Sequence, residues 1–225
     1  MERVLIDQFY NENVLEAFTT IPDSCVDLIV SDVPYTLVGG GYTVKRDVVL
    51  RPNTVFANKG TVFKTPKIME WIFDFYRILK DRSYCFIFMG DRSIKELRNL
   101  AEEAGFIYCQ MLIMKKSNGV FNSYYFKDFE PILLFRKGKY KKFNKFGSTT
   151  TFPVKLNKGK NKLHPTEKPV SLLENFISDC SNEGDLVFDA FAGSASTLVA
   201  AKNLNRHYLG FEIDKKYYDR GIARL

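Results

Sequence analysis

Apolar positions in this chain come in short runs separated by polar stretches of helical period. Val4–Phe9 reads as a first strand, and Asn13 to Thr20 as a short helix ending near Pro22. Val26–Val30 (VDLIV) is a continuous apolar run stopping at Ser31-Asp32, which suits a strand buried on both faces of a parallel sheet. Ile68, Trp71, Ile72, Phe75, Ile78 and Leu79 recur at helical spacing and predict a helix over Ile68–Leu79. Cys85–Met89 is a second buried strand, followed by a helix over Ser93–Ala104 closed by Gly105. Phe106–Met114 and Pro131–Phe135 read as strands, and Val170–Cys180 as a helix with Pro169 at its first position. Leu186–Asp189 (strand), Ser196–Asn203 (helix), His207–Phe211 (strand) and Lys215–Arg224 (helix) complete the alternation. Strands alternating with helices predict a doubly wound α/β domain. Two stretches, 36–66 and 137–163, carry no pattern.

Composition changes this picture in one place. The chain of 225 residues carries a net charge of +7, and residues 137–163 hold nine lysines with no Asp or Glu. Without that segment the chain would be slightly acidic. A polyanion-binding surface and a solvated linker explain the charge equally well. The interleaved Tyr140, Phe143, Phe146 and Phe152 favour a binding surface. A single domain is expected over residues 1–225, with a mobile loop at 36–66 and a small basic insertion at 137–163. No run approaches the roughly 20 apolar residues that span a bilayer, and the opening MERVLIDQFYNENV lacks a secretory layout. Cys25, Cys85, Cys109 and Cys180 are far apart, and only His164 and His207 accompany them. No metal site is expected, and free buried thiols in a cytoplasmic protein are.

Three short constellations carry chemistry. Asp189-Ala-Phe-Ala-Gly-Ser-Ala-Ser-Thr197 joins a strand to a helix, where small residues let a ligand approach free backbone N–H groups. Glu212 lies 19 residues past Gly193 at the end of the next strand, the place of an acid that grips ribose hydroxyls. Ser31-Asp-Val-Pro-Tyr35 follows the VDLIV strand and puts a carboxylate, a backbone acceptor and a flat ring at the carboxyl end of the sheet. His164-Pro-Thr-Glu-Lys-Pro169 precedes a helix. Taken singly, the first reads slightly better as a packing turn, the second clearly better as a strand-ending turn with Tyr35 in the core, and a helix-start cap alone would explain the third.

Together, and in this order, they resemble the S-adenosylmethionine-dependent amino-methyltransferases that act on exocyclic amines of DNA bases. DVPY is similar to their D-P-P-Y motif, DAFAGSAST to their D-P-F-x-G-S-G-T cofactor loop, and HPTEKP to the stretch that stands before that loop. With the catalytic motif first and the cofactor motif last, the chain resembles the family's permuted β group, and NENVLEAFTTIPDSCVDLIVSDVPY follows that group's usual opening. The chain departs from the pattern at Val33 and Ala190, which replace prolines, at Ala195, which replaces a glycine, and at Asn13, which replaces an acid. If Ala195 adopts positive φ it carries a steric cost.

The resemblance implies a Rossmann-like, mostly parallel, seven-stranded methyltransferase sheet with helices on both faces and a circularly permuted motif order. It implies that Asp32, Val33, Pro34 and Tyr35 serve catalysis on a flipped base. Asp189, Phe191, Ala192, Gly193, Ser194, Ser196, Glu212, Thr166, Lys168 and Asn13 would serve the cofactor, with Lys168 and Thr166 at its methionine end. Lys141, Lys142, Lys145, Lys158, Lys160, Lys162, Lys45 and Arg46 would contact double-stranded DNA. The loop 36–66 would close over the site on a Gly39-Gly40-Gly41 hinge. An acid opening the motif is commoner in N6-adenine enzymes, so adenine is the expected base. An N4-cytosine enzyme and a non-catalytic DNA-binding descendant remain alternatives, and a homodimer is expected from the β group.

Overall fold

The structure, a computed structural model, describes residues 5–34, 65–120, 125–145, 149–155 and 167–225. The expected loop 36–66 with its glycine hinge lies almost wholly outside them. The strands are β1 (Gln8–Tyr10), β2 (Val26–Asp32), β3 (Leu79–Phe88), β4 (Ile107–Val120), β5 (Lys127–Arg136), β6 (Thr151–Val154), β7 (Leu186–Asp189) and β8 (His207–Phe211). The helices are α1 (Val14–Ala17), α2 (Ile72–Ile78), α3 (Ile94–Ala104), α4 (Val170–Cys180), α5 (Ser196–Asn203) and α6 (Lys215–Ile222). One eight-stranded sheet has the order β1-β8-β7-β2-β3-β5-β4-β6. Among the described strands only β5 runs antiparallel to its neighbours, β3 and β4. The eighth strand, one more than expected, is β6. It forms inside the basic segment, and its TFPV sequence is too short and too exposed to announce itself as a buried run.

Alternation along the strands feeds two cores. Ile29, Cys85, Ile87, Leu133, Phe135 and Phe188 face α2 and α3. Leu28, Val30, Phe86, Phe88, Ile132 and Leu134 face α4 and α5. On the second face Phe86 stacks on Phe176 of α4, with centroids 4.6 Å apart and planes 8° from parallel. Because the central strands are covered on both sides, their sequences read as unbroken apolar runs.

Boundaries moved where backbone pairing continues past the covered part of a strand. β4 and β5 extend to Val120 and back from Lys127, beyond the apolar runs Phe106–Met114 and Pro131–Phe135. The helix expected over Ile68–Leu79 is a 3₁₀ turn, Ile68–Glu70, and then α2, separated by Trp71 at φ −137°. β1 starts four residues later than expected, and Pro169 is the cap of α4 and not its first helical residue. The thiols are free, but only Cys85 and Cys180 are buried; Cys109 is exposed and Cys25 half-buried. No helix among the described residues is long and apolar enough to cross a membrane.

The first half of the basic segment is structural. Lys137 Nζ donates to the carbonyls of Tyr76 and Leu79, both at 2.7 Å, and so satisfies the carboxyl end of α2. Tyr84 Oη donates to the Lys141 carbonyl. Phe143 meets the Tyr84 ring edge-on at 4.9 Å, and Phe152 meets Phe176 the same way at 5.2 Å. Asn144 donates through its backbone to Asp179 and through its side chain to the Ser178 and Ser181 carbonyls at the end of α4. Two of the four aromatics that favoured a binding surface are therefore packing residues. Tyr140 is exposed, and Phe146 lies outside the described residues.

Ala195 does adopt the left-handed region, with φ 62° and ψ 29°, at the cap of α5. Its methyl is buried against α6, where Gly221 leaves room: a Cβ at Gly221 would stand 2.9 Å from the Ala195 Cβ and 2.6 Å from Phe9 Cε1. Gly221→Ala is therefore expected to destabilise the protein by about 1–3 kcal/mol through overpacking, read as a lowered midpoint in urea unfolding. In the same assay Phe143→Ala should cost about 2 kcal/mol, whereas exposed Lys142→Ala should stay within about 0.5 kcal/mol of wild type. Equal effects of the two would return the segment to the status of a solvated linker.

Candidate active site

Parallel strands β2, β7, β8 and β1 end together, and their carboxyl ends carry the polar groups. Asp32 ends β2 beside Phe88, and Asp189 ends β7 beside Gly210. Glu212 directly follows β8, and its N–H donates to the Tyr10 carbonyl at the end of β1. This is the edge at which open α/β sheets bind ligands.

Asp189 is buried, and its Oδ1 accepts from Ser31 Oγ at 2.7 Å and from the Phe191 N–H at 3.1 Å. Burial pushes its carboxyl up, against hydrogen bonds from Thr197 and Ser31 that favour the charge. Its role is to hold the turn. The turn then runs through Gly193, at φ 54°, to Ala195. Glu212 Oε2 accepts from the Gly193 N–H at 2.9 Å, and Oε1 from the Asp214 N–H at 2.7 Å. Burial pushes Glu212 up to about 7 in spite of both bonds. Each carboxylate oxygen keeps a second acceptor direction, so the acid can serve a ligand while it braces the loop.

The remaining loop residues divide. Phe191 turns its ring toward Trp71, at 6.3 Å, and Ala192 packs beside Phe9 and Leu198. Arg224 Nη1 donates to the Ser194 carbonyl and to the Ser194 and Ser196 hydroxyls, and lies 3.4 Å from Glu167. The serine side chains are thus engaged by Arg224, just past α6, which leaves the backbone as the loop's offering. Asn13 caps α1, accepting from the Leu15 N–H and donating to Glu16. Asn11 ties β1 to the Glu212 carbonyl at 2.8 Å. Arg224 and Asn11 carried no sequence signal, because each acts on a residue far away in the chain.

The largest departure from expectation concerns Lys168. Its Nζ lies 2.5 Å from Asp32 Oδ2 and 3.0 Å from Glu130 Oε1, and Glu130 Oε2 lies 2.9 Å from Lys116 Nζ. Lys168 and Glu130 are each only 6% exposed and Asp32 21%. The Lys168 ammonium also stands 5.1 Å from the centre of the Phe88 ring. Lys168 is engaged by two carboxylates at the catalytic edge, an engagement that was not anticipated beside its expected place at the methionine end of a cofactor. Burial is the main influence on Asp32 and pushes it up to about 6, because the Lys168 charge is shared with Glu130. Burial acts the same way on Glu130, but two ammonium groups outweigh it and hold that acid at about 2. Glu130 was not anticipated: it stands at the polar end of an apolar strand, and only the register of β5 brings it to Lys168.

Val33 is buried and Pro34 half-buried directly after Asp32. Tyr35, Thr166, Lys45, Arg46, Lys158, Lys160 and Lys162 lie outside the described residues. Lys141, Lys142 and Lys145 stand elsewhere: the segment is tied to Ser178–Ser181 at the far end of α4, and Lys145 itself lies 3.4 Å from Ser178 Oγ. Roughly 12 Å of helix separates Val170 from Ser178. These three lysines are at the amino edge of the sheet, away from Asp32, because antiparallel β5 carries the chain there before the segment begins. No group of side chains able to hold a metal occurs among the described residues.

Known proteins resemble this chain in sequence and fold. A family model described as DNA methylase, of N6/N4 type, matches residues 26–224. The type II methyltransferase M.HpaI of Haemophilus parainfluenzae is 29% identical over 95% of this chain and 72% of its own length. The putative methylase YubD of Escherichia coli is 29% identical over 98% of the chain and 90% of its own. Among solved structures, the complex of M1.HpyAVI with SAM superposes with a TM-score of 0.74 at 27% identity, covering 96% of this chain and 98% of that one. The cytosine-N4-specific PvuII DNA methyltransferase has a TM-score of 0.73 at 17% identity, covering 97% and 86%, a likeness of fold. The family match takes in β2 with its terminal Asp32, the Asp189 turn and Glu212, and the chain belongs to the N6/N4 family of DNA methylases.

Proposed function

We propose that the protein transfers a methyl group from S-adenosylmethionine to the exocyclic N6 amine of adenine in double-stranded DNA, the base being flipped out of the duplex, and that it is of the permuted β group. The observation that carries this reading is the carboxylate of Asp32 followed by the Val33 backbone at the carboxyl edge, one strand from the Asp189 turn. The acid that opens the motif favours adenine over cytosine.

The donor set suits the cofactor. A sulfonium is cationic and a ribose presents two hydroxyls; the edge offers Asp32 and Glu212 as acceptors and a small-residue backbone turn between them. Glu212 would hold the ribose, and the backbone of Gly193 to Ala195 would line the rest. When bound, S-adenosylmethionine supplies an electrophilic methyl group. The protein must then make a poor nucleophile attack, since the amine's lone pair is delocalised into the base. Asp32 and the Val33 carbonyl, accepting its two N–H bonds, favour the tetrahedral nitrogen and so free the lone pair; this is positioning together with charge placed where it develops. Tyr35 would stack on the flipped base. Lys158, Lys160, Lys162, Lys45 and Arg46 remain the proposed phosphate contacts.

The direct test is to incubate the protein with DNA and labelled cofactor and to identify the modified nucleoside; N4-methylcytosine in place of N6-methyladenine would overturn the choice of base. Asp32→Ala should lower the single-turnover rate roughly a hundredfold, near 3 kcal/mol, with cofactor and DNA affinity little changed and Asp32→Asn less impaired. A protonated Asp32 accepts only through a neutral carbonyl oxygen and no longer places a negative charge beside the amine, so the wild-type rate should fall as pH is lowered through about 6. A folded Asp32→Ala protein with the wild-type rate would end the mechanism. Glu212→Ala should weaken S-adenosylmethionine binding about tenfold or more, 1.4 kcal/mol, in a calorimetric titration; unaltered affinity would remove Glu212 from the cofactor site.

A further inference from the structure

Four charges of alternating sign run from the outer strands to the catalytic edge: Lys116 on β4, Glu130 on β5, Lys168 before α4 and Asp32 on β2. Each member is contributed by a different part of the chain. Lys168 takes Asp32 at Oδ2, and Glu130 divides its two oxygens between Lys168 and Lys116. We propose that Glu130 is a positioning residue for methyl transfer: held by Lys116, it anchors the Lys168 ammonium on Asp32 Oδ2 and so orients Asp32 with Oδ1 toward the target amine. The proposal rests on the reading of Asp32 given above.

The reason is geometric and then electrostatic. A carboxylate at a strand end can rotate about its terminal torsion, which is broad and roughly two-fold. An ammonium fixed by a second carboxylate removes that freedom, because Lys168 cannot follow Asp32 without leaving Glu130. The lysine stem is itself buried beside Phe88. The second consequence is that Asp32 receives only part of one positive charge. The charged groups that face it are Lys168, Glu130 and Asp189; those that face Glu130 are Lys168 and Lys116. Glu130 and Asp189 oppose ionisation of Asp32 and Lys168 favours it, which keeps Asp32 a more basic acceptor than a carboxylate paired alone with a lysine.

The test separates the two consequences with Glu130→Gln and Glu130→Ala. The Gln amide oxygen still accepts from Lys168, but the negative charge is gone. The titration midpoint of Asp32, followed by carboxyl-carbon NMR, should then fall by about half a unit or more, and the acid limb of the single-turnover rate should move down with it. Glu130→Ala also removes the anchor and should lower the high-pH rate about tenfold, with cofactor and DNA dissociation constants within about twofold of wild type. An Asp32 midpoint unmoved in Glu130→Gln, or a full high-pH rate in Glu130→Ala, would overturn the proposal. If Glu130→Ala does not fold, Glu130→Asp, whose carboxylate is withdrawn from Lys168 by one methylene, takes its place, and a full high-pH rate in that variant would overturn the proposal. If the midpoint falls in Glu130→Gln and the wild-type protein yields no methylated nucleoside, the function assigned above fails and only the charge coupling of Glu130 to Asp32 stands.

Discussion

The Lys168 ammonium, buried between Asp32 and Glu130, is the constraint around which the catalytic edge is arranged. A charge taken out of water is tolerated only when it is paired and its hydrogen-bonding capacity is used. Lys168 meets that requirement only if β2, β5 and the approach to α4 converge in one register, and Glu130 meets it only if β4 adds Lys116. Breaking one buried pair typically costs about 3–5 kcal/mol because the other charge is left behind. The same interaction that specifies how four segments meet also sets the proton affinity of Asp32, so the fold and the chemistry of the edge are stabilised together.

The other half of the edge is built from backbone. Asp189 and Glu212 are both acids in buried surroundings, and both spend oxygens on N–H groups of the turn between β7 and α5. Arg224 engages the serine hydroxyls from the opposite side. Ala195 in a left-handed conformation would ordinarily favour glycine. It is accommodated because α6 presents Gly221 to its methyl, so a departure from the family pattern in one element is matched by a small residue in another. The turn is thereby held in shape by its surroundings and not by glycine at every bend.

Charge along the chain proved to be a poor guide to position. The lysine-rich segment begins with Lys137 closing the carboxyl end of α2, continues with aromatic and amide contacts to β3 and α4, and adds β6 to the sheet. Lys141, Lys142 and Lys145 therefore lie at the edge remote from Asp32. A Lys–Phe–Asn pattern looks the same whether its aromatics stack on bases or on a neighbouring strand.

The sequence by itself determined the alternation of strands and helices, the helices and strands from Val170 onward, and the strand ends that carry Asp32, Asp189 and Glu212. These were legible because a strand covered on both faces must be apolar throughout, and because ligand-binding turns follow such strands with small or acidic residues. Element lengths were less legible where strands leave the cover of the helices, as in β4, β5 and β6, since pairing there uses backbone groups common to every residue. Only the tertiary structure decided what the polar side chains do. Lys168 met two carboxylates, Glu130 entered the site, Arg224 took the loop serines, and the first lysines of the basic segment went to the far edge. Each of these depends on a partner far away in the chain, brought within about 3 Å by strand register, and a hydrogen bond or ion pair acts only at that range.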